Sequence, residues 1–219
     1  MRFSKFWQGA VWGIAALGWH SAHALPLGAN ETERGGGLPP AATAPDRATP
    51  FARHILSRHD AGGLPFAIVD KGTATLQVYR ANGQLVGSTP VLLGQTRGDR
   101  SVPGVGERTE RGQLRSDDRT TPAGRFTSEP GRNRAGEAVV WIDYASAFAI
   151  HRLRSGPSRE RRAQRLAASK PAERRISDGC VVVPVLFYQA VVEPVLGRGR
   201  GVVYVMAEDD PSLLPWAGL

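Results

Sequence analysis

The chain has 219 residues, is 41% hydrophobic and 22% charged, and carries a formal net charge of +8. This is an ordinary globular composition, with enough apolar residues for one good core. The basic balance favours anionic partners, but the sequence holds no nucleic-acid motif and no aromatic residue interleaved with a basic run, so we do not expect nucleic acid among them.

Residues 1–24 have the pattern of a secretory signal peptide. Arg2 and Lys5 give a positive start, the apolar stretch Phe6–Trp19 follows, and Ala22-His23-Ala24 forms a small-x-small cleavage site. The apolar stretch is shorter than the roughly 20 residues of a membrane-spanning helix. We therefore expect an exported protein, periplasmic or cell-wall associated, without tight membrane insertion after cleavage. An uncleaved N-terminal anchor is the alternative.

The rest of the chain divides into a linker and one domain. Residues 25–50 hold five prolines, four glycines and no aromatic residue, which is typical of a flexible linker. Residues 51–219 are predicted to form a single domain, whose core covers about 64–208.

The domain is predicted to begin with a short helix over 51–60, with Thr49 as a candidate cap. From Leu64 onward the apolar residues follow the period of β-strands, with turn signals at Lys71-Gly72 and Asn82-Gly83-Gln84. The predicted strands are residues 64–70, 73–80, 85–94, 124–129, 137–144, 146–152 and 201–208. Short strands between turn residues predict a mainly β sandwich or barrel with a few short helices.

Two polar inserts interrupt the strands, at 95–121 and 152–175. The second holds eight arginines and one lysine against two glutamates. Within it, residues 158–170 are able to form a helix, and we expect either a solvated surface helix or a basic lid beside a site that receives carboxylates. A later helix is predicted to begin near Pro184 and to end or kink at Pro194.

Cys180 is the single cysteine of the chain. In an exported protein a thiol without an intramolecular partner is an intermolecular bridge, an accident or a reactive group. His151 follows an apolar strand and is a candidate base, because a nucleophilic cysteine needs an imidazole close to it in the fold. The N–H groups of Gly179 and Cys180 are candidate oxyanion donors. A small buried residue is the alternative role for Cys180.

Three elements in chain order resemble the L,D-transpeptidase (YkuD-like) catalytic domain of bacterial cell-wall enzymes. These are Thr121-Pro122-Ala123-Gly124-Arg125-Phe126, matching a TP-x-G-x-F element, then Ile150-His151 at a strand end, and Ser177-Asp178-Gly179-Cys180 at the nucleophile position. The resemblance covers roughly 64–208. It implies a mainly β fold and no metal or organic cofactor. We expect an L,D-transpeptidase-like β-sandwich or barrel that carries the basic insert as a helical lid.

The resemblance also implies the roles of individual residues. Cys180 would be the nucleophile that takes the acyl group of a peptidoglycan tetrapeptide stem, and His151 its base, oriented by the backbone carbonyl of Arg152. Ser177 and Gly179 would flank the turn. The acyl group would then pass to an amine on another stem or on a protein, forming a 3→3 cross-link or an attachment.

Two positions depart from the family pattern. Asp178 replaces a histidine, and its negative charge is expected to raise the pKa of the thiol. Val182 replaces the usual arginine or asparagine, so a polar contact to the substrate is missing. Arg152 and Arg175 of the basic insert are the predicted replacements, because arginine binds carboxylates bidentately.

Two alternatives remain open from the sequence. With water as the acceptor, the same site would be an L,D-carboxypeptidase or amidase-like cysteine hydrolase of the cell wall. The departures at Asp178 and Val182 also allow a non-catalytic peptidoglycan-binding module.

Overall fold

The computed structural model describes residues 46–208, so the predicted signal peptide at 1–24 and most of the predicted linker lie outside the described residues. Ten strands carry the fold in this part of the chain: β1 Phe66–Asp70, β2 Thr75–Tyr79, β3 Leu85–Pro90, β4 Leu93–Gly94, β5 Gly124–Arg132, β6 Ala138–Asp143, β7 Phe148–Arg152, β8 Arg175–Ser177, β9 Val181–Val183 and β10 Gly201–Met206. The α-helical segments are α1 Ala48–Ser57, α2 Val105–Glu110, α3 Arg162–Ala167, α4 Val185–Phe187 and α5 Glu193–Leu196.

Eight strands form one large sheet in the order β3-β2-β1-β10-β5-β6-β7-β9, and β4 pairs with β8 in a second, small sheet. Neighbours in the large sheet are antiparallel except β1–β10 and β7–β9. Leu92, just after β3, exchanges two backbone hydrogen bonds of 2.9 Å with Val182 of β9. The two edges of the sheet therefore approach each other, and the fold is a mainly β, nearly closed barrel with short helices, as predicted.

The main core lies inside this sheet. Alternate strand residues point inward, and the helical segment 185–196 packs against them through Tyr188, Val192 and Leu196, all buried. A second cluster lies on the outer face of β1 and β10, where α1 covers the aromatic rings of Phe66 and Tyr204. Among the described residues, no helix is long and apolar enough to cross a membrane.

The first helix begins earlier than its apolar spacing indicates. It spans Ala48–Ser57, and Asp46 Oδ1 accepts the N–H groups of Ala48 and Thr49 at 3.1 and 3.2 Å. The predicted cap at Thr49 is therefore wrong, since this residue already lies in the first turn. Pro50 is tolerated there because the first-turn N–H groups have no partner within the helix.

The predicted strand over 85–94 is divided in two. Strand β3 ends at Pro90, and β4 joins β8 in the small sheet. Proline has no N–H to donate to a sheet ladder, so a strand ends readily at such a position. The break turns the chain toward the cysteine, because Gln95 N donates to Ser177 O at 3.0 Å.

Two buried side chains, Leu166 and Arg174, hold the basic insert against the domain. Its helix α3 is shorter than the predicted 158–170 and is flanked by 3-10 turns. Leu166 is buried against Leu92 and Val182. Arg174 is also buried, and its guanidinium donates to the carbonyls of Thr73 and Ala168 at 3.1 and 2.6 Å. The insert is thus a packed element of the domain.

The later helix continues through Pro194 to Leu196, so the proline does not end it. A wide π-type turn over Tyr188–Val192 precedes the proline. Proline lacks the N–H that a regular α-helix would use at this point, and helices accommodate such a loss through a kink or a widened turn.

Candidate active site

His151 lies in β7, and Cys180 directly precedes β9, the neighbouring strand at one edge of the large sheet. Strands β7 and β9 are parallel, with Ile150 opposite Val181 and His151 opposite Val182. Side chains alternate between the two faces of a strand. Ile150 and Val181 point into the main core, so His151 points away from that core. Cys180 comes one residue before Val181, which pairs with Ile150, and therefore lies diagonally across from His151.

The imidazole of His151 is held by the next residue. Its Nδ1 lies 2.8 Å from the backbone oxygen of Arg152. A carbonyl oxygen only accepts hydrogen bonds, so Nδ1 carries the proton and Nε2 of the neutral ring carries the lone pair. Burial lowers the pKa of His151 to about 4, and the cations of Arg154 and Arg162 act in the same direction. At neutral pH the ring is therefore uncharged, with a free basic nitrogen.

Cys180 is half-buried, and its thiol donates to Ala147 O, with 3.4 Å between sulfur and oxygen. Burial raises its pKa, and the negative charge of Asp178 adds to this, whereas the cation of Arg154 opposes it. Among the described residues no hydrogen bond joins this thiol to the imidazole. The resting site therefore holds a neutral thiol beside a neutral imidazole, and hydrogen bonds of catalytic pairs often tighten only when substrate binds.

The turn before the cysteine is tied by its own serine. Ser177 Oγ donates to Cys180 O at 2.6 Å and accepts the N–H of Gly179 at 3.2 Å. The Gly179 N–H is thus used inside the turn and does not face the cleft, contrary to its predicted role as an oxyanion donor. The Cys180 N–H remains the candidate for that role.

Thr121 connects the Thr-Pro-x-Gly-x-Phe element to this turn. Its fully buried hydroxyl donates to Gly179 O and accepts the N–H of Gly94, both at 2.8 Å. Gly179 has a φ of +119°, and a Cβ there would lie 2.9 Å from Thr120 O. These contacts bring together, around one turn, two of the three sequence elements that resemble L,D-transpeptidases.

Asp178 forms an ion pair with Arg119, with 3.0 Å between Oδ1 and Nη1. Arg119 belongs to the first polar insert. Asp178 lies at the surface, next to the thiol.

The two arginines predicted to bind substrate carboxylates both have acidic partners. Arg152 Nη2 lies 3.1 Å from Glu137 Oε1, beside His151. The side chain of Arg175 is buried and bonds Glu208 Oε2 at 2.5 Å and the carbonyl of Lys71 at 3.3 Å. Arg175 therefore lies in a buried charge cluster, where it is not presented to a substrate, and its predicted binding role is corrected.

Three charged residues near the site, Arg154, Glu137 and Arg162, were not predicted from the sequence. Arg154 Nε lies 2.6 Å from Glu137 Oε2, and Glu137 thereby bridges Arg154 and Arg152. Arg162 on α3 pairs with Glu160 at 2.5 Å. The alternation Arg152-Leu153-Arg154 after a strand is a signal for two arginines on one face, but their proximity to Glu137 depends on the pairing of β6 with β7.

A small open cleft lies beside the cysteine turn and is lined there by Ala147, Asp178 and Gly179. Its lining includes two aspartates, Asp118 and Asp178. The other lining residues are mostly small or carry a hydroxyl group: Ser101, Val105, Thr120, Pro122, Ser146, Ala147, Phe148 and Gly179. Asp118 is buried and held by Arg108, whose guanidinium contacts both of its oxygens. In residues 46–208, no three His, Cys, Asp or Glu side chains are grouped to hold a metal ion.

No protein-family model matches the sequence, and no curated protein matches it. Several solved structures align with part of it. An L,D-transpeptidase from Mycobacterium smegmatis aligns with 65% of the chain at 13% identity and a TM-score of 0.40. The helical cell shape determining protein Pgp2 from Campylobacter jejuni aligns with 67% at 13% identity and a TM-score of 0.41. The catalytic domain of the E. faecium L,D-transpeptidase aligns with 64% at 18% identity and a TM-score of 0.37.

The chain covers 58%, 49% and 95% of the lengths of these three structures, respectively. These are partial similarities of fold at low identity. The chemistry of the site is therefore inferred from the chain's own residues.

Proposed function

We propose that the chain is an exported cysteine acyltransferase that acts on the tetrapeptide stems of peptidoglycan, as L,D-transpeptidases do. The observation that carries this proposal is the position of Cys180 directly before β9, diagonally across from His151 in the neighbouring strand β7. The contact of His151 with Arg152 O also leaves the imidazole in the tautomer that a general base needs. The buried contact between Thr121 and the cysteine turn adds support.

In the proposed reaction, Nε2 of His151 takes the thiol proton as the Cys180 sulfur attacks the carbonyl carbon of the third stem residue. The Cys180 N–H stabilises the oxyanion. The bond to the terminal D-residue then breaks, its amine takes the proton from the imidazolium, and a thioester remains. An acceptor amine then attacks the thioester carbon and the carbon–sulfur bond breaks. The proton that the amine loses passes through His151 to the sulfur and restores the thiol. Since burial disfavours both charged forms, we expect proton transfer and attack to be concerted.

Arg154 is the proposed carboxylate-binding residue in place of Arg175. Its positive charge acts on both Cys180 and His151, and its side chain is 36% exposed. We expect Arg154→Gln to raise the KM for a stem peptide by about tenfold, the usual loss for one charge-assisted hydrogen bond. Arg159→Gln, in the same insert and exposed, is the matched control. Equal KM values for the two variants would remove Arg154 from substrate binding.

A non-catalytic peptidoglycan-binding module is the second candidate. It is favoured by one observation, the resting pair of neutral thiol and imidazole without a hydrogen bond between them. Such a module would bind stem peptides without forming a thioester.

Acylation separates the two candidates. A carbapenem should add its mass to Cys180 in the wild-type protein, more slowly by about 100-fold or more in His151→Gln, and not at all in Cys180→Ala. Isolated stem tetrapeptides should give dimers or, if water is the acceptor, tripeptides, which differ in mass. A folded wild-type protein that binds stem peptides but forms neither adduct nor product would establish the binding module instead.

A further inference from the structure

A buried hydrogen-bonded chain runs from the end of β1 to the cysteine turn. It starts at Lys71, whose side chain is fully buried. Its ammonium group contacts three acceptors: Asp99 Oδ1 at 2.5 Å, Gly98 O at 2.6 Å and Thr121 O at 3.0 Å. All three belong to the segment that begins with the first insert and ends in the Thr-Pro-x-Gly-x-Phe element. Lys71 therefore fixes that segment onto the sheet.

The chain continues through the side chain of Thr121. Its hydroxyl donates to Gly179 O and accepts from Gly94 N. Gly94 has no room for a side chain there, because a Cβ would lie 2.7 Å from Thr121 N and 2.3 Å from Arg119 O. The carbonyl of Gly179 belongs to the peptide unit whose N–H is that of Cys180. A contact that holds this carbonyl therefore sets the direction of the N–H as well.

Stability alone does not explain this arrangement. A buried lysine has a large desolvation cost, and apolar side chains of similar volume often stabilise a fold equally well or better. What an apolar residue cannot supply is a directional contact to Thr121 O. The side chain of Thr121 lies outside the cysteine turn and bonds the backbone of that turn at Gly179 O.

We propose that Lys71 and Thr121 are positioning residues that orient the Gly179–Cys180 peptide toward the oxyanion of the acyl intermediate. This inference rests on the proposed acyltransferase function. Neither side chain touches the substrate, because both are fully buried. They act through the backbone of the turn and set the geometry of the attacking residue and its N–H donor.

The test compares Thr121→Val, which keeps the shape and loses both hydrogen bonds, with Thr121→Ser, which keeps the hydroxyl. Thr89→Val, at a buried threonine of β3, is the matched control. Lys71→Met is a second, independent variant. Three quantities are measured: the rate of carbapenem acylation of Cys180, hydrogen exchange at the amides of Gly179 and Cys180, and the rate of alkylation by iodoacetamide. Alkylation needs no oxyanion donor and therefore reports the accessibility of the thiol.

We expect Thr121→Val to slow acylation by about 100-fold, the size of effect that a small misplacement of a reacting group produces. Alkylation should change less than about threefold, since the thiol stays in place. Amide exchange of the turn should rise about tenfold, which corresponds to the loss of one buried hydrogen bond. Lys71→Met should act in the same direction, while Thr121→Ser and Thr89→Val should behave as wild type.

Three outcomes overturn the proposal. The first is a folded Thr121→Val protein whose turn amides exchange at the wild-type rate. The second is faster exchange with an unchanged rate of acylation, and the third is a rate of acylation that falls only in proportion to the rate of alkylation. If the wild-type protein is not acylated at all, the proposed function fails, and the exchange measurement still decides whether Thr121 holds the turn.

Discussion

Cys180 is presented by a turn in which the preceding position admits only glycine. Gly179 has a left-handed φ, and the carbonyl of Thr120 occupies the space that a Cβ would need. Ser177 and Thr121 hold the two polar groups of the Gly179 backbone. At the scale of single residues, the site is therefore a rigid turn beside an imidazole of fixed tautomer.

Replacing Gly179 by alanine should destabilise the protein by about 3 kcal/mol, because strain at positive φ and the contact with Thr120 O act together. Gly136→Ala is the control, since its φ is +76° and no atom lies within 4 Å of the place that the new methyl group would take; it should cost about 1 kcal/mol. Urea unfolding of the two variants measures the difference. Equal losses of stability in the two variants would show that the carbonyl of Thr120 moves aside without a measurable cost in free energy.

His151 should make the stability of the protein depend on pH. Its pKa in the folded state is about 4, below the roughly 6.5 of an unfolded histidine. Between these values the unfolded chain binds a proton that the folded chain does not. Stability from this group is therefore complete above about pH 6.5 and falls as the pH drops toward 4, by up to about 1.4 kcal/mol per pH unit.

The measurement is the free energy of unfolding of wild type and His151→Gln from pH 4 to 7. Carboxylates contribute equally to both proteins, so the difference between the two curves isolates the imidazole. The wild-type curve should fall more steeply below pH 6.5. Parallel curves would contradict the neutral buried state of His151.

At the scale of elements, the long basic insert follows from the direction of the strands. Strands β7 and β9 are adjacent and parallel, and parallel neighbours need a crossover connection of a dozen or more residues. The insert provides this crossover and carries Arg154 and Arg162 past His151. Antiparallel strands joined by a tight turn would leave no room for these side chains.

Arg174 should hold the insert in place. Its guanidinium donates to backbone carbonyls of Thr73, Ala74 and Ala168, and an apolar replacement would leave these acceptors without that donor. We expect Arg174→Met to increase hydrogen exchange and trypsin cleavage in residues 158–174 by about tenfold or more. The control is Arg159→Met, an exposed position in the same insert. Unchanged protection in Arg174→Met would assign the anchoring to Leu166 alone.

At the scale of the whole molecule, a buried charge cluster joins distant parts of the chain. Lys71 follows β1, Asp99 lies in the first insert, Arg175 begins β8, and Glu208 follows β10. Glu208 also accepts the backbone N–H of Gly98 at 3.2 Å. The cluster thus fixes the first insert to the ends of the adjacent strands β1 and β10, on the side from which Thr121 contacts the cysteine turn.

Glu208→Gln should destabilise the protein by about 3–5 kcal/mol, because the Arg175 cation would stay buried without its carboxylate. Glu129→Gln is the same substitution at an exposed ion pair with Arg200, 3.6 Å long, and should change stability by less than about 1 kcal/mol. Chemical unfolding of both variants gives the comparison. A small effect at Glu208 would mean that solvent or the neighbouring carboxylate of Asp99 compensates.

The sequence by itself determined the mainly β class, most of the strands in their order, and the identity of Cys180 and His151 as candidates. It did not predict the short strands β8 and β9 on either side of the cysteine turn. Periodicity, turn residues and short motifs are local properties, and local properties are readable along a chain. It also placed the polar inserts correctly, although it overestimated the helix within the second one and misplaced the cap of the first helix.

The tertiary structure alone decided which charged residues face the site. Arginines along the insert are alike in sequence, yet Arg175 is buried against Glu208 and Arg154 lies beside His151. Asp178 forms an ion pair with Arg119 of the first insert. Such partners are set by strand pairing and barrel closure over long sequence separations, and no local pattern encodes them. The protonation states of the thiol and imidazole depend on burial for the same reason.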